Sequence, residues 1–235
     1  MNKIFYINLA ERKDRNEHMN EEFKKCGIDY KQIVKIEAVD GRKLTNDTVC
    51  TLVSNSNFNG QSFTRQALGC FMSHSLIWQL IVDRNISTAL VLEDDISFID
   101  NFKELVNNLI QNLPDNTEIV SIGLPQFENV LDINNQTEEI TKKLFIKKIN
   151  NYIGVLHPDI NPGTLGYIIT NKGAKNLLST LDITGFTCSV DSYINSYLEM
   201  KNIRYASTIT LATTVSKFGS DISGFLPIII PAKKV

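Results

Sequence analysis

The apolar positions of this chain fall into two alternating patterns: short unbroken runs of strand length, and longer segments with a helical repeat. Ile4 to Leu9 opens as a strand, Glu11 to Lys25 follows as a polar helix with Met19 and Phe23 on its inner face, and Ile33 to Val39 reads as a second strand. Gln66 to Val82 is apolar around much of its circumference, which predicts a buried central helix. Leu90-Val91-Leu92 predicts a buried parallel strand, after which Asp100 caps a helix carrying Phe102, Leu105, Val106, Leu109 and Ile110. Further strands are expected at Ile119 to Gly123, Leu144 to Ile149, Tyr152 to Leu156 and Tyr167 to Thr170. Helices are expected from Asn171 to Leu181 and around Tyr193, Ile194, Tyr197 and Leu198. This alternation predicts an α/β fold, a central mostly parallel sheet flanked by helices, in a single domain over residues 1–235.

Composition narrows the picture. With 235 residues and 43% apolar content the chain can bury a full core. A net charge of −2 gives no overall basic field, so nucleic acid is not an expected partner. The four cysteines Cys26, Cys50, Cys70 and Cys188 are scattered, show no metal-ligand spacing with His18, His74 and His157, and read as reduced thiols. Without a signal-peptide-like start or a run of about 18 apolar residues, a cytoplasmic protein is expected. The tail Phe225 to Pro231, followed by Lys233 and Lys234, fits either a packed extension or peripheral contact with an anionic membrane face.

The candidate chemistry starts where the third apolar run stops. Glu93-Asp94-Asp95 follows Leu92 directly, and ligands of open α/β sheets collect beyond the carboxyl ends of strands. Three anions packed there repel one another unless a cation joins them, which points to a hard divalent ion, Mn²⁺ or Mg²⁺, and a phosphate-bearing substrate. Arg12, Lys13 and Arg15 sit in the first turn of a helix, where cations oppose the dipole. Either a docked anion such as a diphosphate explains them, or they are surface charges balanced by Glu11 and Asp14. Asp40-Gly41 is a turn at a strand end, and residues 44–64 read as a loop or short helix that could form a lid. Gly69 and Ser73, four apart, mark a stripe for close backbone approach, with His74 beside it as a buried histidine or a ligand-binding one. The glycines of Gly163-Thr164-Leu165-Gly166 suggest backbone close to a ligand. Asp191 is either the N-cap of the helix after it or a carboxylate placed to accept a proton.

Ile4 to Arg15 (IFYINLAERKDR), Ala38 to Arg42 (AVDGR), Leu68 to Trp78 (LGCFMSHSLIW), Ala89 to Asp95 (ALVLEDD), the Gly-Tyr strand into Lys172-Gly173-Ala174, Val190-Asp191 and Ser220-Asp221-Ile222 together resemble glycosyltransferase family 25 over nearly the whole chain. In length the chain is most similar to the bacterial lipooligosaccharide galactosyltransferases of that family. The resemblance implies a GT-A-like fold, with residues 1–125 as the nucleotide-sugar half and 126–235 as the acceptor-side half and tail. It also implies a UDP-sugar donor, usually UDP-galactose, and inverting transfer to a hydroxyl of a lipooligosaccharide-type glycan or glycolipid. On this basis Asp95, with Glu93 or Asp94 directly or through water, would hold Mn²⁺ or Mg²⁺, and Glu93 and Asp94 would touch ribose or donor sugar. Arg12, Arg15 and Arg65 would reach phosphate, Asn8 and Asp40 the nucleoside, and Ser73 and His74 the donor pocket. Asp191, then Asp221, are the candidate bases. One departure stands out: the family commonly places Gly-Glu before its Gly-Cys-x-x-Ser-His helix, whereas this chain has Gln66-Ala67. A metal-dependent nucleotidyl- or phosphotransferase and a non-catalytic nucleotide-sugar or glycan-binding homologue are the competing expectations.

Overall fold

The computed structural model describes residues 3–54, 64–123 and 143–221. In chain order the elements are β1 (Lys3–Asn8), α1 (Lys13–Lys25), β2 (Ile33–Glu37), α2 (Asn46–Ser54), α3 (Arg65–Asp83), β3 (Thr88–Leu92), β4 (Ile96–Phe98), α4 (Phe102–Gln111), β5 (Ile119–Ser121), β6 (Phe145–Lys148), β7 (Ile153–Leu156), β8 (Gly166–Thr170), α5 (Asn171–Thr184), α6 (Val190–Met200), β9 (Tyr205–Ser207) and β10 (Ala212–Thr214).

The main sheet has eight strands in the order β2-β1-β3-β8-β5-β9-β7-β6. With β1 taken as up, β2, β3, β5, β9 and β6 also run up, while β8 and β7 run down. The sheet is therefore mostly parallel and flanked by helices, as the alternation predicts. It departs from expectation at β3, which pairs in parallel with β1 but antiparallel with β8. Burial explains why the apolar run needs no parallel neighbour on both sides. Ala89, Leu90, Val91 and Leu92 are all fully buried, and each of the larger side chains contributes about 1.5–3 kcal/mol whichever way the next strand points.

The central helix α3 covers β1, β2 and β3 and packs on α5. Its start is capped by Thr64, whose hydroxyl accepts from the Ala67 N–H at 3.0 Å. A methyl group at Gly69 would lie 2.4 Å from the Val39 carbonyl oxygen, and one at Gly41 only 1.9 Å from that of Arg65. The small-residue stripe thus lets α3 press directly on the turn after β2. Ser73 completes the clip, accepting from Val39 N–H at 2.8 Å and donating to Gly69 O at 2.7 Å.

Two local expectations change. Asn101, not Asp100, takes the N-cap position of α4, at φ 59°, a left-handed conformation that asparagine tolerates as the chain turns out of β4. The cap of α6 is Ser189, which leaves Asp191 in the first turn. The three-residue strands β4, β9 and β10 have no counterpart in the sequence pattern. The antiparallel pair β4–β10 nevertheless matters most for the site: with the Val215 N–H donating to Asp95 O at 2.7 Å, it folds the last described segment over the acidic motif. Residues 55–63 of the possible lid, 126–142 of the acceptor-facing segment, Ile222 and the tail 225–234 lie outside the described residues. No helix among the described residues is long and apolar enough to cross a membrane.

Candidate active site

Because Tyr6 of β1 lies beside Leu92 of β3 in parallel register, both strands end at the same sheet edge, and Asn8 meets the acidic motif there. Asn8 Nδ2 donates to Asp94 Oδ2 at 2.6 Å and to Arg12 O at 3.1 Å. Arg15, buried in the first turn of α1, donates to Asp94 Oδ1 at 2.8 Å and lies 3.3 Å from an Asp95 oxygen. Its other terminal nitrogen donates to Gly219 O at 2.7 Å and lies 3.3 Å from Asp221. Arg12 grips both oxygens of Asp221 at 2.7 Å and reaches Asp14 with its opposite edge. The ring of Phe218 lies 5.9 Å from the Arg12 guanidinium carbon and 5.7 Å from that of Arg15.

The cations at the start of α1 therefore have anions from the protein itself. Neither an external diphosphate nor Glu11 is required to explain Arg12 and Arg15, because Asp94, Asp95 and Asp221 meet them. Glu11 pairs instead with Arg42 at 2.5 Å.

The three motif carboxylates differ in electrostatic state. Burial raises Asp94 above its ordinary value despite Arg15 and Asn8. Asp95 is pushed up to about 7, chiefly by burial and then by the charge of Glu93. Burial also works against ionising Glu93, but His74, Thr164 and Arg15 outweigh it, and the carboxyl sits below its usual range. The Thr164 hydroxyl donates to Glu93 Oε1 at 2.5 Å, and His74 Nε2 lies 3.8 Å from the same oxygen. His74 is fully buried, with Nδ1 2.8 Å from the Tyr167 hydroxyl, which in turn accepts from Trp78 Nε1 at 3.0 Å.

Two cavities meet at this edge. The first, a cleft of about 260 Å³, runs from Ile7 and Asp40 past Arg15 and the motif to Asp221. A second of about 380 Å³ lies between Ala67, Thr164 and Asp191. Cys70, Glu93 and Ser220 line both, so Glu93 stands in a shared wall. Gln66 faces the first cavity and Ala67 the second, so the position where the resemblance implies a glutamate stands at the second.

The remaining candidates separate by location. Asp40 lines the cleft while accepting from Arg42 N–H at 3.1 Å and from Arg42 Nε at 2.7 Å. These bonds hold its carboxyl at about 2. Ser73 spends its hydroxyl on backbone and shapes the wall from behind. Arg65 donates to Leu44 O and the Asn46 side chain and does not line the cleft. Asp191 accepts from Asn161 Nδ2 at 3.3 Å at the second cavity.

A divalent cation fits the residues present. Asp95 Oδ1 is buried and, among the described residues, has no hydrogen-bond partner. Asp94, Asp95 and Asp221 share the two guanidiniums of Arg12 and Arg15, and Glu93 stands beside them with His74 Nε2 3.8 Å away, so carboxylates outnumber guanidiniums and the cluster carries excess negative charge. Sequence reasoning missed Cys70, Thr164, Tyr167 and Trp78. For two of them a signal existed: Cys70, His74 and Trp78 recur every four residues along one helix face. Cys70 Sγ, His74 and Glu93 offer ligand atoms within 4.8 Å of one another, a grouping hidden by reading the thiols as scattered. All four cysteines are free.

The family model for glycosyltransferase family 25 (LPS biosynthesis protein) matches residues 1–194. Procollagen galactosyltransferase 1 of Danio rerio is 32% identical over 185 residues, 75% of this chain and 28% of that protein. Procollagen galactosyltransferase 2 of Homo sapiens is 30% identical over 185 residues, covering 75% and 27%. A Bos taurus protein described as probable inactive glycosyltransferase 25 family member 3 is 27% identical over 187 residues, covering 76% and 29%. The matched part of this chain spans under a third of the length of these relatives.

Proposed function

The chain belongs to glycosyltransferase family 25, and from that premise we propose that it moves a hexose, galactose, from a UDP-sugar to a glycan hydroxyl of lipooligosaccharide type. The observation that carries this reading is the pair of cavities sharing Glu93, one dense in charge and one sparse. A nucleoside diphosphate suits the first and a largely neutral glycan the second.

In this reading Asp40 faces the nucleoside end and Arg15 the diphosphate, while Asn8, buried and outside the cleft lining, does not reach the nucleoside as expected but holds Asp94 from behind. Asp95, with Glu93, would hold Mn²⁺ or Mg²⁺, whose charge offsets that of the departing diphosphate. The acceptor oxygen attacks the anomeric carbon, the bond from that carbon to the diphosphate oxygen breaks with inversion, and UDP leaves. The acceptor's proton passes to Asp191, which lines the second cavity. Asp221 is the weaker candidate base, since Arg12 grips both of its oxygens.

A second reading has one observation in its favour: Ala67 removes a family carboxylate from the second cavity, and relatives described as probable inactive exist. It predicts UDP-sugar binding without turnover. The test is UDP release from a panel of UDP-sugars with lipooligosaccharide-type acceptors, with Mn²⁺ or with EDTA, comparing the parent chain with Asp95→Ala. Release from one donor that needs metal and is lost in the variant supports transfer. UDP binding with every donor left intact supports the binding homologue.

A further inference from the structure

We propose that Trp78 and Tyr167 fix the tautomer of His74, so that the His74–Glu93 pair recognises one hydroxyl group of the donor sugar. This rests on the UDP-sugar reading above and adds to it the recognition of the hexose itself.

Donor capacity sets the order of these hydrogen bonds. An indole N–H only donates, so the Tyr167 oxygen must accept from Trp78 at 3.0 Å. Burial pushes the Tyr167 phenol far above its ordinary value, so it keeps its hydrogen. That hydrogen has His74 Nδ1 at 2.8 Å as its acceptor, and a neutral imidazole that accepts at Nδ1 carries its own hydrogen on Nε2. The order of donation is then Trp78 to Tyr167 to His74, with the last N–H delivered to the cleft wall. There it stops: His74 is 0% exposed and Nε2 has no hydrogen-bond partner among the described residues. A buried donor without an acceptor is costly to maintain, and it marks where a ligand atom belongs.

Glu93 sets the chemistry of that atom. Its carboxylate only accepts, and Oε1 lies 3.8 Å from His74 Nε2, too far for a direct hydrogen bond. A group that fits between an N–H and a carboxylate must accept from one and donate to the other. A hydroxyl does both, whether of a sugar or of a water that the sugar displaces, a phosphate oxygen cannot donate to Glu93, and an ammonium cannot accept from His74. A cation at the Cys70–His74–Glu93 corner would need the lone pair that the Nε2 hydrogen occupies. Because His74 lines the charged cleft and not the second cavity, the hydroxyl belongs to the donor.

The tautomer is read directly by nitrogen NMR of the full chain labelled with ¹⁵N-histidine, the His74 signals being those lost in His74→Gln. The expected result is a hydrogen on Nε2 and an unprotonated Nδ1. In Tyr167→Phe the two tautomers should mix, which a merely structural tyrosine would not cause. Hydrogen on Nδ1 in the parent chain would overturn the proposal and leave the corner to a cation. The hydroxyl is tested by binding of UDP-galactose and of analogues in which each sugar hydroxyl is replaced by hydrogen. One analogue should bind about 10- to 100-fold more weakly to the parent chain, and the same replacement should cost nothing further in His74→Ala. If all analogues bind alike, or if the loss persists in His74→Ala, the subsite is refuted while the donor reading stands. If UDP-sugars neither bind nor turn over, the donor reading fails and the subsite with it, although the tautomer is still decided by its own spectrum.

Discussion

The two cavities share a wall and differ in almost everything else. The cleft at the end of β1 and β3 is built from charges in contact, with carboxylates outnumbering guanidiniums: Arg15 lies among Asp94, Asp95 and Asp221, and Arg12 binds Asp221 and Asp14. The cavity at the start of α6 offers Asp191, held by a 3.3 Å hydrogen bond from Asn161, and Glu93 in the common wall. The contrast shows how one sheet edge can serve two unlike ligands. Buried ion pairs make a preorganised field for a charged group, while Asp191, held by a long hydrogen bond in a sparse pocket, offers a carboxylate to an incoming hydroxyl.

The comparison breaks most completely at Asp95. If the charged cleft works through its excess negative charge, Asp95→Ala should slow transfer on the order of 10³-fold, measured as UDP release at saturating donor and Mn²⁺. Activity within a few-fold of the parent would show that the unpartnered oxygen of Asp95 has no part in the reaction. The next effect concerns stability. Arg15→Met leaves Asp94 and Asp95 buried without their common cation, and loss of one partner of a buried pair costs about 3–5 kcal/mol. Chemical denaturation should show that loss, and a change below 1 kcal/mol would mean that the cluster is solvated rather than clamped. The sparse cavity predicts a different signature. Asp191→Asn keeps size and the contact to Asn161 but cannot accept a proton, so kcat should fall about 10²-fold with the Kd for UDP unchanged. A parallel fall in UDP affinity would erase the division between the cavities.

The two regions were also unequally legible in the sequence. Strands β1 and β3, the helix α3 and the acidic motif all follow from local periodicity, because each buries its apolar residues against the sheet within its own span. The motif's position follows from strand direction alone. What occupies the cleft beside it did not: Asp221 is 209 residues from Arg12 in sequence, and no spacing rule links them. That pairing depends on β4 and β10, strands of three residues each, too short to show alternation. The first-turn arginines were visible as an anomaly, but the carboxylate that Arg12 grips was not, because Asp221 arrives from the far end of the chain. At the second cavity Asp191 was visible only as a cap or a base, and the structure removes the first option by giving the cap to Ser189.

The smallest effect separates the cavities by pH. Burial and Glu93 raise Asp95 to about 7 in the folded chain, against about 3.9 for an unperturbed aspartate. Between those two values the folded state holds a proton that the unfolded state has released, so stability falls as pH rises through this window and levels off above it. Without divalent metal, the parent chain should therefore melt at a higher temperature at pH 5 than at pH 8. The other carboxylates of the cluster add slopes of their own, so the informative quantity is the difference between the parent and Asp95→Asn. A single kcal/mol in a chain of this size moves Tm by about 2–4 °C, and the variant should gain a few degrees over the parent at pH 8 and little or nothing at pH 4. Asp191→Asn, at the uncrowded cavity, should track the parent at both. Adding Mn²⁺ at pH 8 should narrow the gap between the parent and Asp95→Asn, since the ion supplies the positive charge that the proton supplies at low pH. A gap that Mn²⁺ leaves untouched would separate the strain of buried carboxylates from any role for them in holding a metal.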